Sequence, residues 1–269
     1  MFNSVKIELM AAALGGALAA LAANAQQSAS ELVPGLVQGY LSRDALPDSL
    51  ALLPAPPADG SASFALDEDV ARRSVAVRGG PRWTLATLDA DLSFPNAAGT
   101  FSCALNAPIT EESTPRLYVL LRRTLTDAGL STYGVKDRYQ RRRPFTENNA
   151  PICTPAEQAG LAEDGSYPSG HTAVGWAWAL ILSELAPERA NAILARGLAY
   201  GESRNVCNVH WHSDVVEGRV MGAAVVARLH ADPAFRADLE AAKAEVTAAV
   251  AGDATPSRDC AAEAAALSR

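Results

Sequence analysis

The sequence predicts an all-α fold in one compact domain. Beyond residue 60, apolar residues recur at helical spacing almost to the end of the chain. β-branched alternating runs bounded by turn signals are nearly absent. Aromatic residues make up only 6% of the chain and Ala is abundant, a composition that suits helices packed through small side chains. The 269 residues suffice for one large domain with a substantial core. Hydrophobic residues at 49% and charged residues at 20% mark a globular chain rather than a disordered one. With 23 Lys and Arg against 30 Asp and Glu, the net charge is −7. That balance argues against a general nucleic-acid binder, which needs a basic face for phosphates, but it permits a local cationic pocket.

Residues 1–25 read as a secretory signal peptide. Lys6 supplies the positive start, Leu9 to Ala23 is uncharged, and Ala23-Asn24-Ala25 is a small-x-small cleavage site before Gln26. The apolar run falls short of the roughly 20 residues a membrane span needs. The expectation is a chain exported to a bacterial periplasm and free of the membrane after cleavage. Residues 26–60 read as a short N-terminal helix followed by a Pro-rich arm, because Leu53-Pro54-Ala55-Pro56-Pro57 cannot continue a helix. Residues 61–269 then form the helical domain.

Within that domain the helix signals come in order. Ser113-Thr114-Pro115 is a cap with Pro in the first turn, followed by Leu117, Leu120, Leu121 and Leu125, with Gly129 as terminator. Ser169-Gly170-His171 opens a helix through the apolar Ala173 to Leu185, and Pro187 opens another carrying Ile193, Leu194 and Leu198. Trp211 to His230 and Ala234 to Val250 complete the set. The four cysteines, Cys103, Cys153, Cys207 and Cys260, form no Cys-x-x-Cys pair, so a zinc ribbon or thioredoxin-type site has little support. In an oxidising compartment two disulfides are expected, with three connectivities open.

Three segments carry the chemistry: Lys136 to Pro144, Gly165 to Thr172, and Ser203 to Asp214. Each alone has a bland explanation. A run such as Arg141-Arg142-Arg143 is usually a solvated face, Pro-Ser-Gly is usually a turn and cap, and a His with an Asp four residues on is often a surface pair. Together they make a phosphate-handling set. Lys136, Arg143 and Arg204 supply three cations for the charge that spreads over phosphoryl oxygens, two of them as bidentate forks. Ser169 and Gly170 would open a helix whose free N–H groups favour an anion. His210 can attack phosphorus as a neutral imidazole, and Asp214, one turn later, can fix its tautomer and stabilise the cation that forms. His171 is left as the general acid for the leaving oxygen.

These segments resemble the acid phosphatase branch of the phosphatidic acid phosphatase type 2 and vanadium haloperoxidase superfamily. Its pattern is Lys, six residues, Arg-Pro; then Pro-Ser-Gly-His; then Ser-Arg, five residues, His, three residues, Asp. All three parts occur without departure at Lys136 to Pro144, Pro168 to His171, and Ser203 to Asp214. The string Gly165 to Thr172 looks like the signature of class A bacterial non-specific acid phosphatases. Leu52 to Pro57, Phe101-Ser102, Tyr139 and the Val225 to Phe235 region extend the similarity over most of the mature chain.

The resemblance implies an all-helical phosphatase acting on small phosphate monoesters such as nucleotides, sugar phosphates or aryl phosphates. His210 would form a phosphohistidine, His171 would serve as acid and then base, and Asp214 would orient His210. Lys136, Arg143, Arg204, Ser169 and Gly170 would bind phosphate. No metal or other cofactor is implied. Arg138, Arg141 and Arg142 match no fixed position and are read as surface or pocket-rim residues. The resemblance also carries cysteines at the positions of Cys153 and Cys207. It agrees with the need for their flanking motifs to converge on one phosphate, so Cys153–Cys207 is the expected bridge. Cys103–Cys260 is the pair then left over.

Competing readings are weaker. His210-Trp211-His212-Ser213-Asp214 looks like a metal motif, but on a helix positions two apart diverge, and only His171 and His230 remain as further histidines. Ser169 lacks the flanking glycines of a hydrolase elbow. A vanadium-dependent haloperoxidase could use the same anion pocket, but the compact length and the class A signature argue against it. A non-catalytic periplasmic phosphate-binding protein would need neither nucleophile nor acid. The physiological substrate, the share of phosphotransfer and the oligomeric state, a homo-oligomer included, stay open.

Overall fold

In a computed structural model of the chain, residues 31–33 and 36–268 are described. The signal-peptide segment 1–25 lies outside them. The described part begins with a minimal antiparallel pair, β1 (Glu31–Val33) and β2 (Leu36–Val37), with Val33 opposite Leu36. The helices follow: α1 (Ser49–Leu52), α2 (Ala62–Ser74), α3 (Pro81–Asp89), α4 (Ser102–Leu105), α5 (Pro115–Leu130), α6 (Tyr133–Tyr139) and α7 (Pro144–Asn148). Then come α8 (Gln158–Glu163), α9 (Gly170–Leu185), α10 (Ala190–Val206), α11 (His212–Leu229), α12 (Pro233–Ala251) and α13 (Cys260–Leu267). The all-α expectation holds.

Among the described residues of 26–60 the chain opens on the β1–β2 pair, and its short α-helix is the four-residue α1, which runs into the Pro-rich arm. Side chains of α5 explain the extended start. Thr126 Oγ1 donates to the Val37 carbonyl at 2.7 Å, and the Asp127 carboxylate accepts from the N–H groups of Tyr40 (2.9 Å) and Leu41 (3.0 Å). Those bonds satisfy backbone groups that a helix would otherwise have to satisfy locally. The cap of α5 also differs from the local reading. Its orphan N–H groups at Arg116 and Leu117 donate to the Glu245 carboxylate of α12 at 2.8–3.1 Å, rather than to Ser113 or Thr114.

The central helix is α9, apolar on nearly every side, with Val174, Ala177, Trp178, Ile181 and Leu182 fully buried. Helices α5, α10 and α11 pack around it. Two glycines on α11 let it close on the start of α9. A Cβ at Gly218 would stand 2.6 Å from the Ser169 carbonyl, and one at Gly222 2.5 Å from the Ala173 carbonyl. Any larger residue would push the helix carrying Asp214 away from the helix opened by Ser169. Both cysteine pairs are bridged, Cys103 to Cys260 and Cys153 to Cys207.

Candidate active site

Five stretches of chain meet below the N-terminus of α9. Lys136 comes from α6, and Arg143 from the extended segment that runs into Pro144. The 164–169 loop leads into α9, Arg204 lies in the last turn of α10, and His210 sits in the turn before α11. That turn is held from within: the Arg204 carbonyl accepts from the N–H groups of Val209 (3.2 Å) and His210 (3.3 Å), and Asn205 Nδ2 donates to the His210 carbonyl at 2.9 Å. The Cys153–Cys207 bridge ties it to the chain upstream of the Pro168 to His171 motif.

His210 is 4% exposed, and its two ring nitrogens face different groups. Nδ1 lies 3.3 Å from Asp214 Oδ2, and Nε2 lies 3.0 Å from Arg143 Nη1. Since the guanidinium can only donate, Nε2 accepts and the proton sits on Nδ1 toward Asp214. Burial, followed by the charges of Arg143, Lys136 and Arg204, holds the imidazole well below the usual histidine range and hence neutral. Asp214 is fully buried. Its Oδ2 also accepts from the Trp211 N–H at 2.8 Å, and its Oδ1 from Arg141 Nη1 at 2.6 Å. Burial pushes its carboxyl up, opposed by the adjacent Arg141 charge and these hydrogen bonds.

The three cations expected from the sequence come together, each at 4% exposure or less. Lys136 Nζ bonds Asp164 at 3.2 Å and also the Gly165 carbonyl. Burial and the Arg143 charge lower its pKa to about 8. Arg143 donates to the Asp164 carboxylate at 2.8 Å and to the Val209 carbonyl at 2.9 Å, with its charge disfavoured mainly by burial. Arg204 is different, because its Nε and Nη1 are buried with no hydrogen-bond partner, and burial lowers its pKa to about 10. Such buried unpaired donors are costly, and they need a ligand or a function to justify them.

His171, half-buried in the first turn of α9, has Nε2 2.9 Å from the Ala90 carbonyl. A carbonyl only accepts, so this nitrogen carries a proton. Burial, then the nearby Arg204 charge, holds the ring well below the usual histidine range. Ser169 caps α9, its Oγ accepting from the Thr172 N–H at 3.2 Å. The sequence reading is corrected at one point here. The Ser169 N–H is not free, since it donates to the Asp214 carbonyl at 2.9 Å. The helix N-terminus therefore offers an anion the groups that follow, beginning with Gly170.

A second correction concerns Arg141. It is not a surface or rim residue: its side chain is 9% exposed and pairs with both Asp67 and Asp214. Arg138 and Arg142 are exposed, as expected, and His212 and His230 are partly buried. Asp67 and Asp164 escaped the sequence reading. Asp164 stands directly before the Gly165 to Thr172 string, which is a weak signal, and Asp67 lies in α2 with none. Two clefts elsewhere on the surface include none of these candidate side chains. One, of about 730 Å³, runs between α3 and α13, and the other, of about 610 Å³, borders Tyr133.

A histidine, an aspartate and three buried cations converge at a helix start, an arrangement whose chemistry suits a phosphate. The chain matches the PAP2 superfamily over residues 117–237, a span that covers the Lys136, His171 and His210 segments. It belongs to that superfamily, and within it to the class A non-specific acid phosphatases. It is 44% identical over 207 residues to a non-specific acid phosphatase of Providencia stuartii, covering 77% of this chain and 84% of that one. It is 40% identical to an acid phosphatase of Zymomonas mobilis, over 78% of this chain and 79% of the relative. A non-specific acid phosphatase of Salmonella typhimurium is also 40% identical, over 78% and 84%.

Proposed function

We propose that this chain hydrolyses small phosphate monoesters through a phosphohistidine at His210. The chain is an acid phosphatase by family; the residue roles are our reading. Arg204 carries it most directly. A fully buried guanidinium with two unpartnered nitrogens, beside a neutral histidine, is a site completed by an anion.

The phosphoryl group would lie among Arg204, Arg143, Lys136 and the start of α9 at Ser169 and Gly170, displacing Asp164 from its two cations. The His210 Nε2 lone pair then attacks phosphorus. The P–O bond to the leaving group breaks, and His171 gives its proton to that oxygen. Asp214 accepts the Nδ1–H bond and balances the new positive charge on the ring. Water next attacks phosphorus, His171 takes its proton, the P–N bond breaks, and inorganic phosphate leaves. An alcohol in place of water would give phosphotransfer. Burial, and after it the neighbouring cations, hold His171 neutral; a phosphate dianion offsets those cations, so substrate itself would favour the protonated acid. Three fixed cations and a helix start supply the electrostatics that a metal would otherwise bring. Export rests on the 1–25 segment; among the described residues no helix is long and apolar enough to cross a membrane.

The test is acid-quench labelling with a ³²P-monoester, combined with leaving-group series. His210→Ala should abolish the labelled enzyme for every substrate. His171→Ala should lose more rate on alkyl phosphates than on p-nitrophenyl phosphate, whose leaving group needs little protonation. Activity should survive a strong chelator. Labelling that persists in His210→Ala, or activity that chelation removes and a divalent ion restores, overturns the mechanism.

A further inference from the structure

We infer that Arg141, braced by Asp67, is a positioning residue that holds Asp214 as the oriented, ionised partner of His210. The inference rests on the phosphohistidine reading and adds two residues to it.

Arg141 is bound on every side. Nη1 donates to Asp214 Oδ1 at 2.6 Å and to Ser213 Oγ at 2.8 Å, and Nη2 donates to Asp67 Oδ2 at 2.7 Å. Its guanidinium lies 5.4 Å from the Trp211 ring centroid and 6.0 Å from that of Tyr167. Asp67, 1% exposed on α2, also takes the Ser213 N–H and hydroxyl, each at 2.7 Å. A single planar fork thus bridges two buried carboxylates, which a lysine cannot reproduce.

The two arginines of the first motif divide the work. Residues 141–143 lie outside any helix between α6 and α7, with Arg143 extended, and Arg141 and Arg143 turn inward while Arg142 between them faces solvent. Arg143 reaches His210 Nε2, and Arg141 reaches the far end of the same pair at Asp214, while Arg142 is 68% exposed. Arg141 makes none of the Lys136, Arg143 or Arg204 contacts, so it acts through Asp214 rather than on the phosphate. A fully buried carboxylate resists ionisation, and an adjacent arginine charge opposes that resistance. His210 contacts Asp214 through Nδ1 at 3.3 Å, Lys136 and Arg143 also bear on it, and Glu217 bears on the neighbouring Tyr167. Lys136 and Arg143 face the phosphate side, which leaves Arg141 as the cation bonded to Asp214 itself.

The experiment compares Arg141→Gln, Asp67→Asn and their double variant with the wild-type full chain. Readouts are kcat, KM, vanadate inhibition, thermal midpoint and the pH profile of kcat. Losing the Arg141 charge should raise the pKa of both Asp214 and His210, so the acid limb of kcat moves to higher pH. For Arg141→Gln we expect kcat to fall about 100-fold at acid pH, less than the roughly 10⁴-fold lost when the orienting Asp of a serine-protease triad is replaced. Vanadate inhibition should stay within about twofold, because its ligands remain; this is our working bound for an intact anion pocket. Asp67→Asn should act in the same direction more weakly, and the double variant should be no worse than Arg141→Gln, because both break one chain of contacts. A folded Arg141→Gln with kcat and acid limb unchanged sinks the inference, and so does vanadate inhibition that weakens in step with kcat. If Arg141→Gln does not fold, Asp67→Asn decides: an acid limb left at its wild-type position overturns it. Failure of the underlying reading shows separately, as wild-type enzyme that labels no histidine.

Discussion

Arg196 and Arg204 leave the same helix, α10, and both are almost entirely buried, at 2% and 1% exposure. Arg196 is fully engaged. Its Nη atoms hold Asp89, at 3.1 Å for one of the pairs, and its Nε holds Glu263 of α13 at 3.0 Å. Those two carboxylates raise its pKa above the ordinary arginine value despite burial. Arg204 has two nitrogens with no partner, and burial depresses its pKa. The same side chain at the same depth thus joins elements together in one case and, on our proposal, binds the phosphate in the other. The two regions touch where Ser203 Oγ donates to Asp89 at 2.6 Å, one residue before Arg204. A buried charge with carboxylate partners contributes to architecture, whereas one without partners is a cost to the fold that ligand binding recovers.

The comparison breaks most sharply by substitution. Arg204→Met should cost about 10²–10³ in kcat, the scale of losing one preorganised anion donor. It should leave the denaturant midpoint at or above wild type, since it removes an unpaired buried cation. Arg196→Met should do the reverse. It strands Asp89 and Glu263, so stability should fall by about 3–5 kcal/mol in denaturant unfolding. The folded enzyme should lose far less activity than Arg204→Met. Vanadate should raise the thermal midpoint of wild type and Arg196→Met but not of Arg204→Met. Equal stability losses for the two variants would erase the distinction.

The disulfides sharpen the same contrast. Cys103–Cys260 anchors α13, which carries Glu263, while Cys207 is the residue that ends α10, just beyond Arg204. Replacing either pair by serines should cost about 2–4 kcal/mol of stability. Only loss of Cys153–Cys207 should lower kcat in the folded protein, because that bridge holds the Arg204 turn. A kcat loss confined to the Cys103–Cys260 variant would contradict this assignment.

The smallest effect is a pH dependence at Lys136. Its pKa in the folded protein is about 8, against an ordinary 10.5. The folded group is the weaker base, so between those values the unfolded chain binds more protons. The cost of burying the charge is therefore complete below about pH 8 and is relieved as pH rises toward 10.5. Anion binding runs the other way, because neutral Lys136 no longer attracts phosphate. Sulfate, whose charge is constant in this range, should inhibit less well as pH rises through about 8. Lys136→Met should flatten that profile, and a sulfate inhibition constant independent of pH would refute it.

Much of this protein is legible in the amino-acid order. Helices α5, α9, α10, α11 and α12 announce themselves through apolar spacing and through Pro or Ser at their starts, because hydrogen bonding and side-chain facing within a helix are set by neighbours three and four residues away. The three motifs are legible for the same reason: each puts chemically distinctive side chains within a few residues of one another. Tertiary structure alone decided which charges have partners. The third motif marks Arg204, but nothing local shows that Arg196 is paired while Arg204 is not, or separates Arg141 from its exposed neighbour Arg142, because the carboxylates that settle the matter lie in α2, α3 and α13. The course of the chain just after β2 was likewise decided by Thr126 and Asp127 of α5. Burial and charge pairing are fixed by side chains that the fold brings in from distant parts of the chain, and in the buried, low-dielectric interior those contacts determine whether an arginine supports the fold or binds a phosphate.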